Sequence, residues 1–324
     1  MTRRRSTATT HLYRRESVRT TALARCLAVI AVILCRPTYA GVPATAFGGA
    51  VSLADGGPIT IVRRDTLMSG TQGVRLVGGD VIETGPTAFL VIQGPDGTLI
   101  GVGPSTAVYF VERDPLATLY VLKGWVKADV RSAPVRLVGA HLGIQGHQAI
   151  MVLHADELSG AAFDEQGPAT IVMPGAAPTP VGADPGPNHF FVREAQSEVV
   201  GQRAPTGDFV AKMPIAFRDP LPVYQNLPEA QPPRTLRAVD YSDIQALLNI
   251  PREWRGGFIR RFRSRLTDRA FFAAMDAHLA LYPEWTPILH PPPPPESTPS
   301  TDESRTKGAP PTHQPNSQQA DGSQ

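Results

Sequence analysis

Between Pro58 and Val172 the chain is a succession of short runs rich in Val, Ile, Leu and aromatic residues, each closed by a turn. The runs cover residues 59–63, 81–84, 88–93, 99–102, 108–111, 119–123, 126–130, 135–138, 142–145, 149–154, 159–163 and 169–172. Branched and aromatic side chains suit a pleated, half-buried surface. Gly78-Gly79-Asp80, Gly85-Pro86, Gly94-Pro95-Asp96-Gly97, Gly103-Pro104 and Ser159-Gly160 separate them. These residues supply positive φ, a fixed φ or a local side-chain hydrogen bond. Short strands at a spacing of roughly 8–12 residues predict an all-β sandwich, barrel or solenoid. No long helical period interrupts the series, which argues against a doubly wound α/β fold. The expected fold is mainly β, a twisted solenoid-like or sandwich domain of many short strands over 58–172.

The chain then changes character. Residues 173–237 are Pro/Gly-rich and irregular, and 175–187 (GAAPTPVGADPGP) reads as a linker or long surface loop. The prolines in 213–222 (MPIAFRDPLP) are too closely spaced for a helix or a central strand, so this stretch is expected to lie extended across another surface. A small helical unit is expected over 238–289. Tyr241, Ile244, Leu247 and Leu248 share one helical face. Pro251 opens a second helix, with Trp254, Phe258, Phe262 and Leu266 at four-residue spacing. Thr267 or Asp268 caps a third, which carries Phe271, Phe272, Met275, Leu279 and Tyr282 and ends at Pro283. Residues 290–324 hold only Ala309 and Ala320 from the apolar set, too little to bury, and are expected to be a disordered tail.

The amino terminus sets the compartment. Cys26 to Cys35 (CLAVIAVILC) is an apolar run preceded by seven arginines and followed by Arg36-Pro37-Thr38-Tyr39-Ala40. A charged head, a short apolar centre and a small-x-small exit predict a secretory signal over 1–40, cleaved between Ala40 and Gly41. Residues 41–57 then read as a linker. The run is about half the roughly 20 residues that cross a bilayer, so a permanent span is the weaker alternative, although the long head leaves an uncleaved anchor open. Residues 1–40 carry eight of the 31 basic residues and one of the 29 acidic ones, leaving 23 basic against 28 acidic, a net −5. A general nucleic-acid binder carries a basic footprint over its whole domain, so nucleic acid is not an expected partner. Cys26 and Cys35 are the only cysteines, so an exported body has no disulfide, cysteine nucleophile or cysteine-bound zinc.

Catalytic templates fail: the sequence has no H-E-x-x-H, Walker loop or G-x-S-x-G. Gly101-Val102-Gly103-Pro104-Ser105-Thr106 leads into strands and reads as a hairpin turn. His141, His147 and His154 are expected at solvated strand positions, since an odd separation puts His147 and His154 on opposite faces. Asp80, Glu83 and Asp96 are the candidates for paired carboxylates, but Asp80 and Asp96 adjoin glycines, where Asp bonds the local backbone. No catalytic, cofactor or metal residue is assigned. One charged feature stands out: Arg252, Arg255, Arg260, Arg261, Arg263, Arg265 and Arg269 against Glu253 and Asp268. Such a patch can grip phosphate or carboxylate groups bidentately. The commoner alternative is a solvated helix face paired with the acidic β domain.

Three stretches of the β region carry a family resemblance. Gly79-Asp80-Val81-Ile82-Glu83-Thr84 resembles a G-D-x-I-x-T turn and strand. Asp96-Gly97-Thr98-Leu99-Ile100-Gly101-Val102-Gly103-Pro104-Ser105-Thr106 resembles the D-G-(T/S) run that follows it. Leu119 to Val126, with Gly124, resembles an L-x-x-G-x-(V/A) hairpin. In this order they resemble a FecR-type domain over about 58–172. The resemblance implies a twisted, solenoid-like β fold outside the inner membrane, with no catalytic residues to transfer. Family members include iron-uptake sensors that relay a signal from an outer-membrane transporter to a cytoplasmic sigma factor. Only some 25 residues precede the apolar run, too few for a sigma-binding bundle, so fold and location carry over and the relay does not.

The function expected is an exported, non-enzymatic binding or scaffold module of the periplasmic cell envelope, without a cofactor. Its partner is a protein or an anionic envelope polymer, and it meets a membrane only through an uncleaved signal. The alternative is a membrane-anchored signalling subunit of a FecR-type transcription-regulating relay. An envelope hydrolase using Asp80, Asp96, His147 and His154 ranks last.

Overall fold

A computed structural model describes residues 48–293, save 113, 115, 176–178, 181–187 and 196. The proposed signal segment with Ala40 and Gly41, most of the proposed loop at 175–187 and most of the proposed tail lie outside the described residues. The chain forms two compact units, 1–267 and 268–324.

The first unit is mainly β. Its strands are β1 (Gly49–Asp55), β2 (Ile59–Arg63), β3 (Thr66–Ser69), β4 (Arg75–Leu76), β5 (Val81–Thr84), β6 (Phe89–Gln93), β7 (Leu99–Val102), β8 (Ala107–Phe110), β9 (Ala117–Asp129), β10 (Val135–Val138), β11 (Gly143–Gly146), β12 (Ile150–Ala155), β13 (Ser159–Gln166), β14 (Ala169–Met173), β15 (Thr179–Pro180), β16 (His189–Glu194), β17 (Val200–Gln202) and β18 (Thr235–Ala238). One sheet runs β4-β1-β6-β7-β9-β12-β13-β16-β17. The other runs β18-β3-β2-β5-β8-β9-β10-β11-β14-β15. Neighbouring strands are antiparallel except β9 and β10.

Strand β9 belongs to both sheets, which makes them one continuous curled surface. Its first half pairs with β8 and β10, and its second half with β7 and β12. The corner is Gly124, at φ 91°, where a Cβ would lie 2.7 Å from the Thr106 Cα. Only glycine combines that φ with that approach. The sequence suggested two strands here, 119–123 and 126–130; the structure has one, because Gly124 bends the strand without ending it. Between the two halves lies the main core, which includes Ile61, Ile82, Leu90, Ile92, Phe110, Leu119, Leu137, Ile144 and Leu153.

Several strands are not half-buried as expected: every residue of β7 and β8 is buried. The outer face of the first sheet is covered by a strap containing α1 (Gly207–Lys212) and α2 (Ile215–Arg218). Phe209, Met213, Phe217 and Leu221 from the strap are buried on Val91, Leu99, Trp125, Val152 and Phe190. Each such side chain contributes about 1.5–3 kcal/mol of transfer free energy. Gly101 lies in β7, not in a turn. A Cβ there would come within 2.9 Å of Phe217 and 2.8 Å of Leu221, so the absent side chain seats the strap. The stretch 213–222 does cross another surface, but through a helical turn, with Pro214 at the N-cap of α2.

Strand β1 begins at Gly49, inside the stretch expected to be a linker, and pairs with β6. Strand β16 lies in the region expected to be irregular and pairs with β13. After β18 come α3 (Tyr241–Leu248), α4 (Arg252–Arg255), α5 (Phe258–Phe262) and a 3-10 turn, Arg263–Thr267. In the second unit, α6 (Arg269–Ala277) is capped by Asp268, which accepts from the amides of Ala270 (2.9 Å) and Phe271 (3.1 Å). A short α7 (Thr286–Leu289) follows two 3-10 turns.

Candidate functional site

A groove of about 700 Å³ opens at one end of the β body. Its walls come from the β2–β3 turn, the β4–β5 turn, the end of β8 and the α4–α5 junction. Four segments of the sequence therefore meet there, and hydrogen bonds from side chains of the last explain how.

Arg261 is the clasp. From α5 its Nε donates to the Arg64 carbonyl (2.7 Å), Nη1 to the Gly79 carbonyl (2.6 Å) and Nη2 to the Val62 carbonyl (2.9 Å). Ser264 adds a bond from its hydroxyl to Asp65 Oδ2 at 2.6 Å. Burial pushes the Arg261 guanidinium below its ordinary value, and the charges of Asp80, Glu112 and Asp65 oppose that shift. Aromatic edges complete the contact: Phe258 meets Tyr109 at 5.8 Å, and Trp254 meets Tyr120 at 5.3 Å.

Asp80 does not stop at local backbone bonds. It accepts from the Val77 amide (2.9 Å), as a turn residue would, but it is also buried in an ion pair with Arg63 at 2.9 and 2.6 Å. The Asp80 hydrogen bond raises the Arg63 value, ahead of burial, which lowers it. The other motif residues are equally committed to the fold. Ile82 is in the core, and the Thr84 hydroxyl donates to the Gly103 carbonyl at 2.6 Å. Asp96 accepts from Thr98, Ser132 and the Ala133 amide. Partial burial works against its charge, but those bonds prevail and hold it below the usual carboxylate range. Gly97 takes φ 83° in the same turn.

The arginine cluster is split. Arg255 donates to the Leu248 carbonyl (2.8 Å), Arg265 to the Val239 carbonyl (2.8 Å), and Arg261 serves as the clasp. Arg252, Arg260, Arg263 and Arg269 are exposed. Of the exposed four, Arg260 lines the groove, as does Arg64 from the β2–β3 turn. Sequence reasoning missed Arg63 and Arg64. Among the described residues no group of three or more His, Asp or Glu could hold a metal ion, and no helix is long and apolar enough to cross a membrane.

The histidines do not share an environment. His141 and His147 lie in turns, and His141 Nε2 contacts the Glu157 carbonyl at 2.9 Å. His154, on β12, is half-buried with its ring 4.3 Å from that of Trp125. The expectation of a solvated site fails because the strap covers this face. Burial pushes His154 below its ordinary 6.5; Asp156 opposes that and Lys212 reinforces it. The unfolded chain therefore takes the proton first. Stability from the neutral ring is complete above pH 6.5 and is lost as pH falls through the lower folded-state value. His154→Gln is expected to flatten this acid limb when urea midpoints are compared from pH 8 downward. An unchanged slope would place the titration elsewhere.

No family model matches this chain, and no curated protein does. Among solved structures it is similar to two crystal structures from Parabacteroides distasonis ATCC 8503, each provisionally described as an anti-sigma factor. The first gives a TM-score of 0.34 and 14% identity, covering 40% of this chain and 63% of that one. The second gives 0.33 and 13%, covering 40% and 62%. The chain thus spans less than two thirds of their length.

Proposed function

We propose that this protein is an exported, non-enzymatic FecR-type binding module of the cell envelope, and that the groove is its partner-facing surface. The observation that carries this reading is the convergence of Arg64 and Arg260 on one concavity. Both guanidinium groups are exposed and have no side-chain partner among the described residues. The three acids offered for chemistry are occupied: Asp80 by Arg63, Glu83 by Lys123 and Asp96 by its turn. An arginine-lined groove on a net-acidic body suits a partner that is itself locally anionic.

The reading has two parts, and each has its own measurement. Mass spectrometry of protein from the periplasmic fraction is expected to find a new terminus at Gly41. Met1 retained on soluble cytosolic protein would overturn export. Met1 retained in the membrane fraction would replace the free module with the anchored signalling subunit. Sedimentation with purified envelope material is expected to carry the exported protein down in low salt and release it in high salt, as exposed charge pairs require. Failure to sediment at any ionic strength would overturn the binding role.

A further inference from the structure

The same groove holds a second observation that the fold does not explain. Gly256 and Gly257 separate α4 from α5 and line the cavity. Their φ values, −54° and −89°, are open to any residue. Nothing lies within 4 Å of a Cβ placed at either position. Neither conformation nor crowding calls for glycine, and glycine in a helical segment weakens it relative to alanine. What the two glycines do provide is open space in the groove that Trp254, Arg64 and Arg260 also line.

We propose that this space takes a ring-bearing oxyanion, an anionic saccharide unit of an envelope glycan. Arg64 and Arg260 grip the phosphate or carboxylate, and the sugar ring lies over the apolar wall of Trp254 and Val77. The inference rests on the binding-module reading above and gives it a ligand class. Volume favours a glycan over a protein partner. About 700 Å³ is within the range of small-ligand sites, whereas stable protein interfaces cover about 800 Å² per side on flatter surfaces. The chemistry of the lining agrees: planar forks suit oxyanions, and an amphipathic aromatic suits the partly apolar face of a sugar. Glu112 is the one exposed carboxylate among the lining residues, and it selects against a second anionic group near it.

The test is calorimetric titration of the full mature chain with four probes: N-acetylglucosamine 1-phosphate, N-acetylglucosamine, inorganic phosphate and an octaglutamate peptide. The sugar phosphate is expected to bind about tenfold or more tightly than either half alone, because charge-assisted bonds and ring burial act together. Arg64→Gln with Arg260→Gln is expected to weaken it by about tenfold or more. Gly257→Gln is expected to do the same while melting no lower than the parent, a combination a purely structural glycine would not produce. If inorganic phosphate binds as well as the sugar phosphate, the saccharide is overturned. If octaglutamate binds best, the glycan gives way to an acidic protein. If no probe binds while the protein still sediments with envelope material, this inference falls and the module reading survives. If sedimentation fails as well, both fall.

Discussion

Lys127→Ala is expected to lower unfolding free energy by about 3–4 kcal/mol, measured by urea denaturation with tryptophan fluorescence as the probe. Lys127 is fully buried in the second half of β9. Its ammonium pairs with Glu165 at 2.7 Å and donates to the strap carbonyls of Phe217 (2.8 Å) and Asp219 (3.1 Å). Truncation leaves both carbonyls without their donor and a void where the stem lay. Glu165 is about one-third exposed and can rehydrate, which keeps the cost below that of a fully buried orphan. Lys127→Met refills the void but not the hydrogen bonds, so it is expected to cost about 2 kcal/mol. Both variants are expected to accelerate hydrogen exchange over 209–221 before the sheets respond. If Lys127→Met were as stable as the parent, apolar burial alone would hold the strap. The lysine also selects a register. Ile215 is exposed and Phe217 buried in the same segment, and the carbonyls fixed by Lys127 belong to Phe217 and Asp219.

That strap marks the limit of what the sequence revealed. Strands at 59–63, 81–84, 99–102 and 135–138 were readable to the residue because β-rich runs sat between turn residues. Strand β1 was not, since Gly-Ala-Val-Ser-Leu-Ala-Asp has few branched residues and follows small ones. The strap had a signal: Phe209, Met213, Phe217 and Leu221 recur every four residues. Pro214, Pro220 and Pro222 concealed it, because proline inside a helix is costly, whereas here Pro214 lies between two short helices. For the groove, the charge of 252–269 was visible and its division was not. Arg255, Arg261 and Arg265 turn onto backbone carbonyls, and a carbonyl leaves no mark on the identity of its residue. Arg64 was invisible for another reason: it lies almost 200 residues from Arg260, and only pairing of β2, β3 and β5 brings it near.

Arg261→Ala tests that division directly and is expected to cost about 3 kcal/mol. Three carbonyls lose a charged donor at once, those of Val62, Arg64 and Gly79. The half-buried setting lets water replace part of the loss, so the three bonds do not add in full. Contact of the guanidinium with the Phe262 ring at 5.0 Å is lost as well. Arg261→Lys is expected to recover less than half, since one ammonium cannot reproduce a planar fork that reaches three acceptors. Arg263→Ala, two residues on and exposed, is expected to stay within about 0.5 kcal/mol of the parent. Binding sorts the same residues differently. Arg64→Gln with Arg260→Gln should lose ligand without losing stability, whereas Arg261→Ala should lose both, because it releases the turn that carries Arg64. Equal stability of Arg261→Ala and Arg263→Ala would mean that α5 is held on the β body by the Phe258–Tyr109 and Trp254–Tyr120 contacts and the Ser264–Asp65 bond, and that the shape of the groove does not depend on the clasp.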